Sequence, residues 1–269
     1  GRSGLRKGPP IKFAKQCAEK TNSLRVYYGR HSIEGIMSDL AKAQTKPGGS
    51  IDKDACAYMV SSEFATFLIQ NPAALTILTD WYDSHFGDEW KNVLKNSPKE
   101  TLTNLGISLL GGSSEVHLKE TVPLNALGGG FLARTLIVHE EVRHGIHSLI
   151  GDDEELPPED PTIVSDLIEM TKRKGEVKVS HEAATSYNSW YTDYSKMSIK
   201  DRTGTYERLH DHVLKVATIF AVMDGTDIER NHIDEAIEGC LECFRDVQRV
   251  FFESSTHPTA PVIAMVLKI

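Results

Sequence analysis

The run Ala55–Val60, ACAYMV, constrains the fold of this chain more than any other stretch. It is nearly continuously apolar and stops abruptly at Ser61-Ser62-Glu63. A strand with one wet face alternates polar and apolar residues. A strand without alternation is covered on both faces, as in a parallel sheet flanked by helices. Gly106–Leu110, GISLL, is a second such run and ends in Gly111-Gly112-Ser113-Ser114. Arg134–Val138, RTLIV, is a third and follows Gly128-Gly129-Gly130, while Leu24–Tyr28, LRVYY, reads as a shorter strand. Helical spacing fills the intervals. Residues 9–20 carry Pro9 and Pro10 in the first turn, then Ile11, Phe13, Ala14 and Cys17. Residues 32–43 carry Ser32 as N-cap, then Ile33, Ile36, Met37 and Leu40, and residues 72–84 form a further amphipathic helix.

Alternating helix and buried strand predict an α/β core with a mainly parallel sheet over residues 1–150. Residues 150–161, IGDDEELPPEDP, read as an acidic, Pro-rich linker. Beyond it the pattern is helical, with helices expected at 162–173, 180–196, 206–223 and 231–253, and hence a helical subdomain over about 160–256. Active residues of parallel sheets gather at the carboxyl ends of the strands, which directs attention to 61–63 and 111–114.

Charge narrows the function. Lys and Arg total 30 and Asp and Glu total 38 among 269 residues, a net charge of −8. The chain as a whole lacks the positive field of a small autonomous nucleic-acid binder, so nucleic-acid contact requires a local patch or an assembly that sums several. Lys91, Lys95, Lys99 and Lys119, which flank the 106–110 strand, are the candidates for such a patch, diluted by Asp88, Glu89 and Glu100. Cys17, Cys56, Cys240 and Cys243 make no disulfide framework and read as reduced thiols of a cytoplasmic protein. No apolar run approaches the ~20 residues of a membrane span and no signal peptide is visible. The abrupt start on a Gly-rich basic loop, without Met or a leading strand, reads as a piece of a longer protein.

That loop is the first candidate site. A phosphate-binding loop, GxxxxGK[ST], wraps phosphates in backbone N–H groups, reaches them with Lys and holds Mg²⁺ with a hydroxyl. In GRSGLRKG, Gly1 opens the loop, Ser3 and Gly4 lie inside it, and Lys7 takes the lysine position. Arg6 stands where the second Gly belongs and Gly8 where the hydroxyl belongs. The other reading is a solvated basic turn. At 61–63, Glu63 suits the polarising of an attacking water, with Ser62 at the position of a metal-ordering Asp; alternatively Glu63 is an exposed strand-end residue. Ser113 or Ser114 is placed to sense a γ-phosphate, or else is a turn or N-cap residue. Arg134 opens an apolar strand and needs an anionic partner, either a neighbouring subunit's phosphate or Glu140 or Glu141.

In order and spacing, GRSGLRKGPP, VSSEF (60–64), GGGFLARTLIV (128–138) and YERLHDHVLKVATIFAV (206–222), with Lys215, resemble the helicase-like P-loop domain of phage, plasmid and genomic-island replication proteins. The resemblance implies a RecA/AAA+-like P-loop NTPase core with a C-terminal helical subdomain, related to superfamily-three ring helicases. It implies ATP and Mg²⁺ as cofactors, single-stranded DNA as partner, a hexameric ring and a primase domain upstream. Gly1, Ser3, Gly4, Arg6, Lys7, Gly8 and Ser62 would then bind nucleotide. Glu63, Ser113, Ser114 and Arg134 would serve catalysis, Arg134 in trans. The missing loop hydroxyl and missing Asp weaken direct Mg²⁺ coordination and leave a non-hydrolysing nucleotide-binding or assembly module as the rival reading.

A metal-dependent hydrolase is the more distant rival. His139-Glu140 opens like a zinc-hydrolase motif, but His144 lies five residues on, about 140° around a helix from His139. His144 and His147 share a face, with Asp152 and Asp153 downstream. Cys240 and Cys243 form one CxxC with no second half and read as small core residues. No metal site is assigned from sequence.

Overall fold

The computed structural model describes residues 7–22, 24–44, 54–93, 99–122, 130–140 and 161–252. The chain divides into two compact units, Gly1–Thr121 with Val142–Thr171, and Val122–Glu141 with Lys172–Ile269.

The first unit is α/β. Its centre is a three-stranded parallel sheet in the order β1 (Val26–Tyr28), β2 (Cys56–Ser61), β5 (Gly106–Gly111). The apolar run is the middle strand, as its lack of alternation requires: Ala57, Met59 and Val60 are buried. Register sets Tyr28 opposite Val60 and Val60 opposite Leu110. The three strands therefore release their carboxyl-terminal loops at one edge.

Helix α1 (Gly8–Lys20) begins with prolines in its first turn, where a missing N–H costs no helical bond. It buries Ile11, Cys17 and Ala18. Helix α2 (Ile33–Gln44) buries Ile33, Ile36, Met37 and Leu40, one stripe at helical spacing. Ser32 accepts from Gly35 N–H at 3.0 Å, the N-cap role its sequence position predicts. Asn71 completes that end: its side-chain oxygen accepts from Ile33 N–H at 3.0 Å and its amide donates to Phe67 O at 2.8 Å.

Four elements, α3 (Phe64–Gln70), β3 (Glu89–Asn92), β4 (Glu100–Thr103) and α5 (Glu115–Thr121), have no counterpart in the sequence reading. Helix α3 starts directly at the end of β2 and precedes α4 (Ala74–Tyr82). The polar stretch after α4 holds an antiparallel pair, β3 with β4. The pair is anchored by the wholly buried Leu102 and by Trp90, edge-on to Trp81 at 5.9 Å. Helix α5 follows β5. Helix α6 (Pro161–Lys172) belongs to this unit as far as Thr171.

The second unit is helical: α7 (His181–Lys196), α8 (Thr205–Asp224) and α9 (Arg230–Phe252). Leu209, Val213, Ala217 and Ala221 of α8 pack with Ile233, Ala236, Cys240 and Phe244 of α9 in one apolar cluster. Gly225, at φ +79°, ends α8 in the left-handed conformation, and Arg173 donates to the last carbonyls, Ala221 O and Val222 O. No helix among the described residues is long and apolar enough to cross a membrane.

The strand expected at 134–138 is not formed. Leu132–Arg134 is a 3-10 turn, and 135–140 lies outside any strand, with Val138 81% exposed. A strand needs a neighbour's ladder for its backbone groups. Side chains of the helical unit hold the backbone on either side of this segment: Thr205 Oγ1 donates to Leu132 O, His212 Nε2 to Ala133 O at 2.9 Å, and His139 N–H donates to Asp246 Oδ2 at 2.8 Å.

His212 is 3% exposed and burial holds its pKa below the usual histidine value, against the opposing pull of its bond to Ala133 O. The unfolded chain therefore binds a proton more readily than the native one. The contribution of His212 is intact above its unfolded pKa of about 6.5 and is lost as pH falls below it. Thermal unfolding of the full chain is expected to shift downward between pH 7.5 and 5. In His212→Gln, which retains a donor without titrating, the shift is expected to be smaller; an unchanged pH slope would show that His212 is not responsible.

Candidate functional site

The carboxyl edge of the sheet is built from backbone first. At the end of β2, Ser61 O accepts from Gly112 N–H at 2.8 Å, and Gly112 O accepts from Phe64 N–H at 2.7 Å. These bonds tie the start of α3 to the end of β5. Gly112 is buried in a close-packed spot: a Cβ there would stand 2.6 Å from Ile11 Cδ1 and 3.1 Å from Ser62 O, with Lys7 Cδ at 3.6 Å, so a larger residue forces the α1 side chains to move. Gly112→Ala is therefore expected to lower stability by about 1–3 kcal/mol through overpacking, read as a fall in the denaturant midpoint. An unchanged midpoint would mean that α1 yields freely at this point.

The same contact places Lys7. It is the residue preceding the first turn of α1, half-buried, with its aliphatic stem over Gly112 beside the Ser62 carbonyl. Lys7, Ser62 and the β5 terminus thus meet at one edge. Glu63 follows Ser62 as the N-cap residue of α3; it is exposed and makes no capping bond through its side chain. Gly8 is the first helical residue and is exposed. Pro9 and Pro10 carry no N–H, so the first turn of α1 offers an anion fewer donors than an ordinary helix start. Gly1, Ser3, Gly4 and Arg6 lie outside the described residues.

Ser113 and Ser114 are half-buried on the loop after β5. Ser114 Oγ accepts from His117 N–H at 3.3 Å as the cap of α5, and Ser113 Oγ donates to Ser114 O at 3.1 Å. Arg134 belongs to the helical unit, where its guanidinium donates to Gly130 O at 3.0 Å. Lys91 and Lys99 stand at the β3–β4 pair, Lys91 bound to Glu89 at 2.9 Å, and Lys119 is bound to Glu115 at 2.6 Å. Lys95 is outside the described residues.

A second feature of this edge was not read from sequence. A half-open cleft of about 260 Å³ lies between the ends of β1 and β2, lined by Tyr28, Arg30, His31, Glu63, Phe67 and Gln70 among others. The signal was available, since Arg30 and His31 follow the carboxyl end of β1 as Ser62 and Glu63 follow that of β2.

Among the described residues, no group of three or more His, Cys, Asp and Glu side chains is placed to hold a metal ion. His144, His147, Asp152 and Asp153 lie outside those residues. Cys240 is buried in the helical core, and burial pushes its thiol up to about 12. Cys243 is pushed up to about 11 by burial and then by Asp246 and Glu242. Both are packing thiols rather than thiolate ligands at neutral pH.

No protein-family model, curated protein or solved structure matches this chain.

Proposed function

We propose that the chain is the ATP-hydrolysing domain of a ring helicase or translocase that acts on single-stranded DNA. The observation that carries this reading is the convergence of Lys7 with Gly112 and Ser62, next to Glu63, at the carboxyl edge of adjacent parallel strands. A lysine at a helix start, beside the loops of two parallel strands, supports phosphate binding at this edge. In this reading Lys7 meets the phosphates, Glu63 orients the attacking water and Ser113 faces the terminal phosphate. Mg²⁺ would supply charge neutralisation between the phosphates. The residues assigned to this site offer it one carboxylate, Glu63, and the Ser62 and Ser113 hydroxyls, so it would be held mainly through phosphate oxygens and water. The β3–β4 pair, anchored by Leu102 and immediately ahead of β5, is the element that would present Lys91 and Lys99 to a DNA backbone. A ring would sum these modest charges around one channel, with Arg134 acting across the subunit boundary.

The test is turnover. Purified chain with ATP, Mg²⁺ and single-stranded DNA is expected to release phosphate, and Lys7→Ala to lose at least tenfold in kcat/KM. Equal turnover in the variant defeats the reading. One set of observations favours a second reading, a nucleotide-binding assembly module that does not hydrolyse: Pro9 and Pro10 remove donors from α1, Gly8 has no hydroxyl and Ser62 no carboxylate. Calorimetric nucleotide binding without phosphate release identifies that case.

A further inference from the structure

We propose that the cleft between the carboxyl ends of β1 and β2 binds a nucleobase, a planar heteroaromatic ring whose edge carries both donors and acceptors. The proposal does not depend on a phosphate site at Lys7, because a nucleoside carries no phosphate for Lys7 to hold.

Size is the first argument. About 260 Å³ lies just under the ~300–1,000 Å³ of sites for drug-sized ligands and suits one ring system. The walls are the second. Tyr28 and Phe67 both line the cleft, and flat aromatic walls select flat ligands. The Tyr28 ring also lies under the Lys15 ammonium at 4.8 Å, and Phe67 is stacked on Phe64 at 5.9 Å, so both walls are braced.

Polarity is the third argument, and it separates a base from an anion. Among the described residues, the side chains of Arg30 and Glu63 have no hydrogen-bond or ion-pair partner, yet both line the cleft. Arg30 offers only donors and ionised Glu63 only acceptors. A phosphate would gain from Arg30 and be repelled by Glu63. A base edge uses both, and Gln70 and Thr66, which also line the cleft, carry an amide and a hydroxyl able to supply either kind of group.

Preorganisation is the fourth. Gly29, at φ +94°, turns the chain directly after β1, a conformation that side-chain-bearing residues resist. His31 then makes a hydrogen bond through Nε2 with Tyr28 O at 3.0 Å and packs edge-on to Tyr27 at 5.6 Å. Buried Asn71 donates to His31 O at 3.4 Å while holding Ile33 and Phe67. The loop that presents Arg30 is thus set before any ligand arrives, and little ordering cost remains.

The base can belong to a free nucleoside or to a strand. The full chain is titrated with adenosine, guanosine, cytidine and thymidine, and separately with a short single-stranded oligonucleotide and its abasic equivalent, followed by tyrosine fluorescence and chemical-shift changes. Saturable binding is expected for at least one nucleoside, or for the oligonucleotide with loss in its abasic form; these two results distinguish the sources. Tyr28→Leu and Arg30→Ala, both at exposed positions, are each expected to weaken that binding about tenfold. Lys7→Ala is expected to leave nucleoside binding unchanged. No binding to any of these probes overturns the proposal, as does binding that neither cleft variant weakens. Loss of ATP turnover in Lys7→Ala with intact nucleoside binding supports a base site that needs no phosphate; Glu63 borders both sites, so the cleft is probed through Tyr28 and Arg30.

Discussion

Glu63→Gln is expected to bind ATP as the native chain does and to turn it over about 10²–10⁴-fold more slowly. The change keeps shape and removes only the charge and the proton-accepting oxygen. Its structural cost is small, because Glu63 is exposed and makes no side-chain capping bond at the start of α3. What is lost is the carboxylate of the residue that follows Ser62 at the carboxyl end of β2. Phosphate release with saturating ATP measures turnover, and calorimetry measures binding. A variant that hydrolyses at the native rate removes Glu63 from the chemistry, whatever Lys7→Ala does. A variant that fails to bind assigns Glu63 to nucleotide recognition instead.

The second large effect is structural and concerns Asp201. Its carboxylate accepts from Thr203 N–H at 2.9 Å, Thr203 Oγ1 at 2.7 Å, Tyr206 N–H at 2.9 Å and Gln248 Nε2 at 3.2 Å. It therefore caps the first turn of α8 from outside the helix, where Gly204 has no side chain to do so, and ties that turn to α9. Thr203 is wholly buried and Gln248 nearly so, which denies the freed donors access to water. Asp201→Ala is expected to cost more than about 3 kcal/mol, the sum of several charge-assisted bonds and the desolvated groups they leave behind. Asp201→Asn is expected to recover only part of this, since its NH₂ would face donors that now meet oxygen. Urea unfolding of the full chain reads both. A loss below 1 kcal/mol in Asp201→Ala would mean that water reaches the site.

The sheet edge illustrates how far residues alone carry the interpretation. Continuous apolarity at 55–60 marks a strand covered on both faces, and β2 lies there with Ala57, Met59 and Val60 buried. At 106–110 the expected strand forms as β5, but as an edge strand of the sheet whose residues are half-buried or exposed, so the burial expected of it is not met. The Pro9–Pro10 start, the Ser32 cap and the helical stripes of α2 and α8 are equally local, each decided within a few residues. The pair β3–β4 carried no comparable signal: EWKN and ETLT are mostly polar, and only Leu102 is buried, with Trp90 half-buried against Trp81.

Local composition settled which segments avoid water and which can coil into helices, because periodicity is a property of one segment. Pairing is a relation between two, and only the folded molecule decided it. RTLIV has the residues of a strand, yet it pairs with none, while Thr205, His212 and Asp246 hold the backbone just before and just after it. Proximity followed the same logic: parallel register brings Tyr28, Val60 and Leu110 level, so that Arg30 and Glu63 line one cleft, and the packing of α1 sets Lys7 against Gly112 across a long separation in the chain.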